Sequence, residues 1–155
     1  MKDMKAENLK NRITVEMICG IAVAIAMGGM ALASIWSYIA CDETYTETLG
    51  NAVQALVICI AFIIIDLIMI EIIKNGKPFT KSIILKLQVL AVWTMVGAYL
   101  PDIAVSLANM LKFNVAEVIF DAENMFVMLL GMIVGIISEI FRYGYELQED
   151  MDSIA

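Results

Sequence analysis

One carboxylate, Asp66, stands inside a long apolar run, and no other side chain in the sequence asks so plainly for a chemical role. It is twelfth of the nineteen residues 55–73, which puts it about 3 Å from the middle of a helical span. Carboxylates at that depth are costly and mark ion paths or proton relays. The alternative is a neutral aspartic acid, or one that hydrogen-bonds a neighbouring helix purely for packing. A transporter would add broken helices, an internal repeat or several acids at one depth, and the sequence displays none of these.

Other candidate polar groups fall toward the helix ends. Glu71 and Lys86 lie on either side of the connection between the second and third apolar runs, at a depth where an interhelical ion pair is expected. Glu139 and Arg142 are three apart, and Arg142 and Glu146 four apart, so both pairs can form along one helix. Pro101–Asp102 marks a kink or an exit late in the third run. Met125, Met128 and Met132 form a helical stripe, expected to pack flexibly against lipid or the first helix.

Catalytic chemistry finds little to work with. Histidine is absent, which removes the commonest general base and metal ligand. Cys19, Cys41 and Cys59 have no paired spacing and read as small apolar packing residues. No phosphate-binding glycine loop or nucleophile–base pair occurs. The sequence implies neither an enzyme nor a cofactor.

The elements that position these residues are helices in a lipid solvent. Of 155 residues, 61% are hydrophobic and 17% charged, and the mean hydropathy is +0.84, beyond the range of soluble domains. Four apolar runs approach the roughly 20 residues that an α-helix needs to cross about 30 Å of hydrocarbon. The expected spans are about 15–39, 54–73, 84–107 and 125–143, forming an all-α bundle of four membrane helices in a single domain covering 1–155. Strands of alternating polarity, as in a membrane β-barrel, do not fit. Ala31-Leu32-Ala33 and Tyr38-Ile39-Ala40-Cys41 resemble cleavage signals only in part, so the first run is expected to be a retained helix.

Nine basic residues (Lys2, Lys5, Lys10, Arg12, Lys74, Lys77, Lys81, Lys86 and Arg142) fall on one side of these spans, and Lys112 alone on the other. The positive-inside rule then places both chain ends in the cytoplasm and the acidic segment 42–47 outside. Trp36, Tyr38 and Tyr45 suit the outer interface. Gly76 and Pro78 read as a helix stop, and Thr80 as the N-cap of the third helix. Gly20, Ala24 and Gly28, and likewise Gly131 and Gly135, recur at four-residue spacing and predict close packing faces. The spacing leaves open whether each face meets a helix of the same chain or of a second copy, as in a homo-oligomer.

The fourth helix is expected to continue past the membrane as a short acidic tail, 144–155. Ile140, Gly144, Leu147, Met151 and Ile154 share one stripe, with Glu146, Glu149, Asp150 and Asp152 largely off it. An acidic segment is repelled by the anionic inner leaflet. It either projects toward a partner or folds its stripe back onto the other helix ends. A net charge of −7 argues against direct contact with nucleic acid.

Gly76-Lys77-Pro78-Phe79, together with Glu139-Ile140-Phe141-Arg142-Tyr143-Gly144-Tyr145-Glu146-Leu147-Gln148-Glu149-Asp150, resembles domain-of-unknown-function family 2975. Its members are small bacterial four-helix membrane proteins with an E-[IV]-F-R-x-G-x-x-L-Q-E-[DE] closing motif. Met151-Asp152-Ser153-Ile154-Ala155 departs from the family's more typical D-x-T-V ending. The family has no established activity, but its members are often encoded beside a short Cro-type helix-turn-helix repressor. The resemblance implies a regulatory pair in the bacterial cytoplasmic membrane. Gly76, Pro78, Phe79, Arg142, Glu146, Leu147, Glu149 and Asp150 would form the docking surface for that small cytosolic DNA-binding partner. A transporter or ion-conducting protein built on Asp66 is the alternative, and self-protection against a membrane-active peptide a third.

Overall fold

The computed structural model describes residues 2–40, 45–75, 79–114 and 121–154. Among them it has five helices and no strand: α1 (Lys2–Ala40), α2 (Tyr45–Asn75), α3 (Lys81–Gly97), α4 (Leu100–Phe113) and α5 (Ala122–Ile154). Parts of α1, α2 and α5 are each long and apolar enough to cross a membrane. The third expected span, 84–107, is two helices, α3 and α4, bent by 40° at their junction. Taken as one span, the pair brings the number of segments long and apolar enough to cross a membrane to four.

The bend has a local cause. Pro101 sits in the first turn of α4, where its missing N–H costs nothing. Its ring would clash with the carbonyl four residues back in an uninterrupted helix. The chain therefore breaks at Ala98–Tyr99, just ahead of the proline. At its far end α4 closes on Asn114, whose left-handed φ of 55° lets its N–H reach the Met110 carbonyl.

Helix limits differ from the apolar runs mostly by extension. α1 starts at Lys2, well before the apolar stretch begins at Ile13, through Lys, Glu and Ala residues of good helix propensity. α2 takes in Tyr45, Thr46 and Glu47, which the sequence assigned to an external loop. Asp42, Glu43 and Thr44, and also Gly76, Lys77 and Pro78, lie outside the described residues. Thr80 is the N-cap of α3 as expected, its hydroxyl accepting from the Ile83 N–H at 3.3 Å.

The four long elements do not close into the bundle expected from their number. Among the described residues α1 packs its backbone against α2 alone and α5 against α3 alone, while α2 joins the two pairs through α3 and α4. The small residues explain this open order. The Gly20, Ala24, Gly28 side of α1 is spent on α2, against Asp66 and Cys59. The Gly131, Gly135 side of α5 is spent on α3, against Ala91 and Met95. Lipid supplies no hydrophobic gain for bringing α1 to α5, so neither helix has a second close-packing face to draw it there. Both stripes thus meet partners within the chain. The methionine stripe does not pack on α1 either. Met125 and Met132 are exposed, and Met128 Sδ accepts from the Tyr99 hydroxyl at 3.8 Å.

Candidate functional sites

Phe79 and the closing motif of α5 meet at one end of the molecule. Phe79, the one described residue of Gly76-Lys77-Pro78-Phe79, stacks tilted on Phe141 with ring centroids 5.1 Å apart. Its ring also covers Gly144, where a Cβ would stand 3.2 Å from the Phe79 Cδ1 and Cε1 atoms. Position 144 therefore favours glycine for a packing reason. One turn on, the Lys81 ammonium lies over the Tyr145 ring, 5.3 Å from its centroid. Phe79 and Gly144 thus hold the base of the α5 tail against the start of α3, and of the proposed docking residues Phe79 is committed to that internal contact.

The tail beyond this clasp stays helical to Ile154. At 33 residues, α5 is about 50 Å long, some 20 Å more than a hydrocarbon core requires. Among the described side chains of its apolar stripe, Ile140, Leu147 (47% exposed) and Met151 (71%) remain accessible, and Gly144 is covered by Phe79. Glu146, Glu149 and Asp150 are exposed beside them. Arg142 bonds Glu139 at 2.7 Å and approaches Glu146 at 3.9 Å, both pairs well solvated. Such exposed pairs contribute little to stability; their effect is to leave the tail's net charge negative.

Just inside this end, Glu71 collects three donors from the start of α3. Lys86 pairs with it directly, Ser82 Oγ donates at 2.9 Å and Thr80 Oγ1 at 3.3 Å. The Glu71–Lys86 pairing is the one anticipated from position. The two hydroxyls were not anticipated, although Thr80-x-Ser82 at a helix start directly opposite a carboxylate is a readable signal. The site fastens α2 to α3 and leaves neither charge idle.

At the opposite end Asn124 Nδ2 donates to Asp102, tying the first turn of α5 to that of α4. Asp102 is therefore a fastening point as well as a neighbour of the kink, and the sequence offered no indication of its partner.

Asp66 stands apart from all of these. It is 7% exposed and lies where α2 crosses Gly20 of α1. A Cβ at position 20 would stand 2.3 Å from its Oδ1. The carboxyl rests in the notch that glycine leaves, and among the described residues no hydrogen bond or ion pair reaches it. It opens on a groove of about 440 Å³ between α1 and α2, walled by Ile21, Ile25, Cys59, Ile63 and Leu67. The Cys59 thiol donates to the Ala24 carbonyl at 3.3 Å.

The chain matches no family model, no curated protein and no solved structure. Function has to be reasoned from these three places: the clasped acidic tail, the Glu71 fastening and the Asp66 groove. Among the described residues no cluster of three or more acidic or thiol side chains is arranged to hold a metal ion.

Ser138 is the residue that sequence reasoning missed entirely. It is fully buried, and its hydroxyl donates to the Ile84 carbonyl of α3 at 3.3 Å. The signal was present: Gly131, Gly135 and Ser138 continue one small-residue stripe at four- and three-residue steps. Trp93 is a second omission, its indole donating to the Val57 carbonyl of α2 at 3.0 Å.

Proposed function

We propose that this is a non-enzymatic regulatory protein of a bacterial cytoplasmic membrane, a member of domain-of-unknown-function family 2975, that holds a small basic helix-turn-helix regulator at the inner surface. In this reading the chain crosses four times, α3 and α4 forming one bent span, and both ends are cytoplasmic. Lys74, Lys81, Lys86 and Arg142 would then share the inner side. One observation carries the proposal: α5 runs unbroken past the clasp to Ile154, presenting exposed Leu147 and Met151 beside exposed Glu146, Glu149 and Asp150. An apolar strip rimmed by acids suits an amphipathic basic helix, the strip supplying affinity and the acids steering and register.

The test is cross-linking of a tagged chain in cells, followed by identification of what is bound. The charge-reversed chain Glu146→Lys, Glu149→Lys, Asp150→Lys is the control. It keeps Gly144 under the Phe79 ring, a contact that truncation after Arg142 would remove. The expected result is a small DNA-binding protein captured by the parent chain alone, with capture weakening as salt rises. Equal capture by the charge-reversed chain would refute the docking surface.

A further inference from the structure

We propose that the groove between α1 and α2 is a binding site for an apolar molecule carrying one cationic amine, with Asp66 as its counter-ion. The argument begins with what surrounds the carboxyl. Its residue is 93% buried, the complement of its 7% exposure. On α1 it meets the bare backbone notch of Gly20, and around it stand Ile21, Ile25, Ile63 and Leu67. The one other polar side chain on the groove wall among the described residues, the Cys59 thiol, is already spent on the Ala24 carbonyl. The two basic side chains of α3 are engaged elsewhere, Lys86 with Glu71 and Lys81 over the Tyr145 ring. A carboxylate removed from water needs a counter-charge or a donor, and this chain directs none of its described groups to that place.

The groove specifies the rest of the ligand. Its volume of about 440 Å³ falls in the range of small-molecule sites, about 300–1,000 Å³. Its walls are aliphatic, and Ile21, Ile25, Ile63 and Leu67 keep part of their surface open to the surroundings. A ligand could therefore enter sideways from lipid, without a path through the protein. An anion would meet the carboxylate unfavourably, and a wholly apolar molecule would leave it unpaired. An ammonium on a compact hydrocarbon body satisfies both the walls and the acid. The site is independent of whatever docks on the α5 tail.

The experiment uses the full chain in nanodiscs of neutral lipid, with radiolabelled 1-adamantylamine as the probe and 1-adamantanol as its uncharged counterpart. Saturable binding of one amine per chain is expected, with the alcohol weaker by on the order of 30-fold, as for loss of one partner of a desolvated charge pair. Asp66→Asn keeps the shape against Gly20 and should weaken the amine by a similar factor. Leu67→Trp fills the groove while keeping the carboxylate, and should abolish binding; it decides the matter should the Asn variant fail to fold. Equal affinity for amine and alcohol, or amine binding that survives both substitutions, would overturn the proposal. Absence of saturable binding in the parent chain would do the same. So would a dimer that Leu67→Trp breaks and the amine does not displace, since a second copy would then be the occupant.

Discussion

The two helix pairs at the edges of this molecule, α1 with α2 and α3 with α5, are built by one method and finished differently. Each brings backbones together over a stripe of small residues, and each buries one polar side chain in the contact. In α3–α5 the polar side chain is Ser138, neutral and hydrogen-bonded to the Ile84 carbonyl. In α1–α2 it is Asp66, ionisable and without a partner among the described residues. The small-residue stripe makes room in both places, but only the first contact closes around its polar group. The second leaves a carboxyl on a groove. The α3–α5 pair, which carries the tail clasp, reads as scaffold, and the α1–α2 pair as the place where something else can enter.

The largest effect is expected where a side chain would meet backbone. A Cβ at Gly131 would lie 3.0 Å from both the Ala91 carbonyl oxygen and the Met95 nitrogen, and 2.6 Å from Met95 Cγ. Helix backbone cannot step aside as a side chain can. Gly131→Leu should therefore separate α5 from α3 and cost about 3 kcal/mol, read as a lowered midpoint of SDS-induced unfolding followed by circular dichroism. The substitution Gly135→Ala, one turn away, should be nearly silent, because its Cβ would sit 3.7 Å from Ala91 Cβ, an ordinary contact. Equal losses at the two positions would mean that α3 and α5 do not pack in this register.

Gly20→Ala probes the other pair and should cost less, about 1–2 kcal/mol, although its clash is nominally closer. The atom in the way is Asp66 Oδ1, 2.3 Å from the new Cβ, and a carboxyl can swing into the groove. In an Asp66→Ala background the same substitution should cost almost nothing, a coupling within the range of about 0.5–3 kcal/mol seen for touching residues. A full-sized loss in both backgrounds would show that Gly20 is needed for backbone approach and not for housing the acid.

Much of this layout was legible in the sequence, and the reasons for the exceptions are physical. Run length identified the helices, because a helix in lipid must be apolar along its whole span. Pro101 located the kink, and the Glu71–Lys86 pair followed from equal depth. The stripes at Gly20 and Gly131 predicted packing faces, but spacing contains no information about the partner. That is why closure into a bundle was expected and an open order was found. Asp66 could be singled out by depth alone. That it faces Gly20 depends on the rotation of α1 against α2, which no single-helix pattern encodes. Asn124 reaching Asp102 is likewise a product of how two separate helix starts are juxtaposed.

The smallest effect separates the two contacts most finely. Ser138→Ala removes a hydroxyl that is fully buried, yet its acceptor, the Ile84 carbonyl, sits inside α3 where backbone bonding is already supplied. Interhelical hydrogen bonds in membranes average about 0.6 kcal/mol, and with its acceptor otherwise satisfied this one should contribute about 0.5 kcal/mol. Alanine leaves only a small void and no orphaned donor. A comparably small loss would support the view that the α3–α5 pair is held by close approach at Gly131, with Ser138 as an accommodated polar group. A loss several times larger would reverse that ranking. The hydroxyl would then be what selects α3 as the partner of α5, and the two pairs would differ less in their logic than in the charge of the group each one buries.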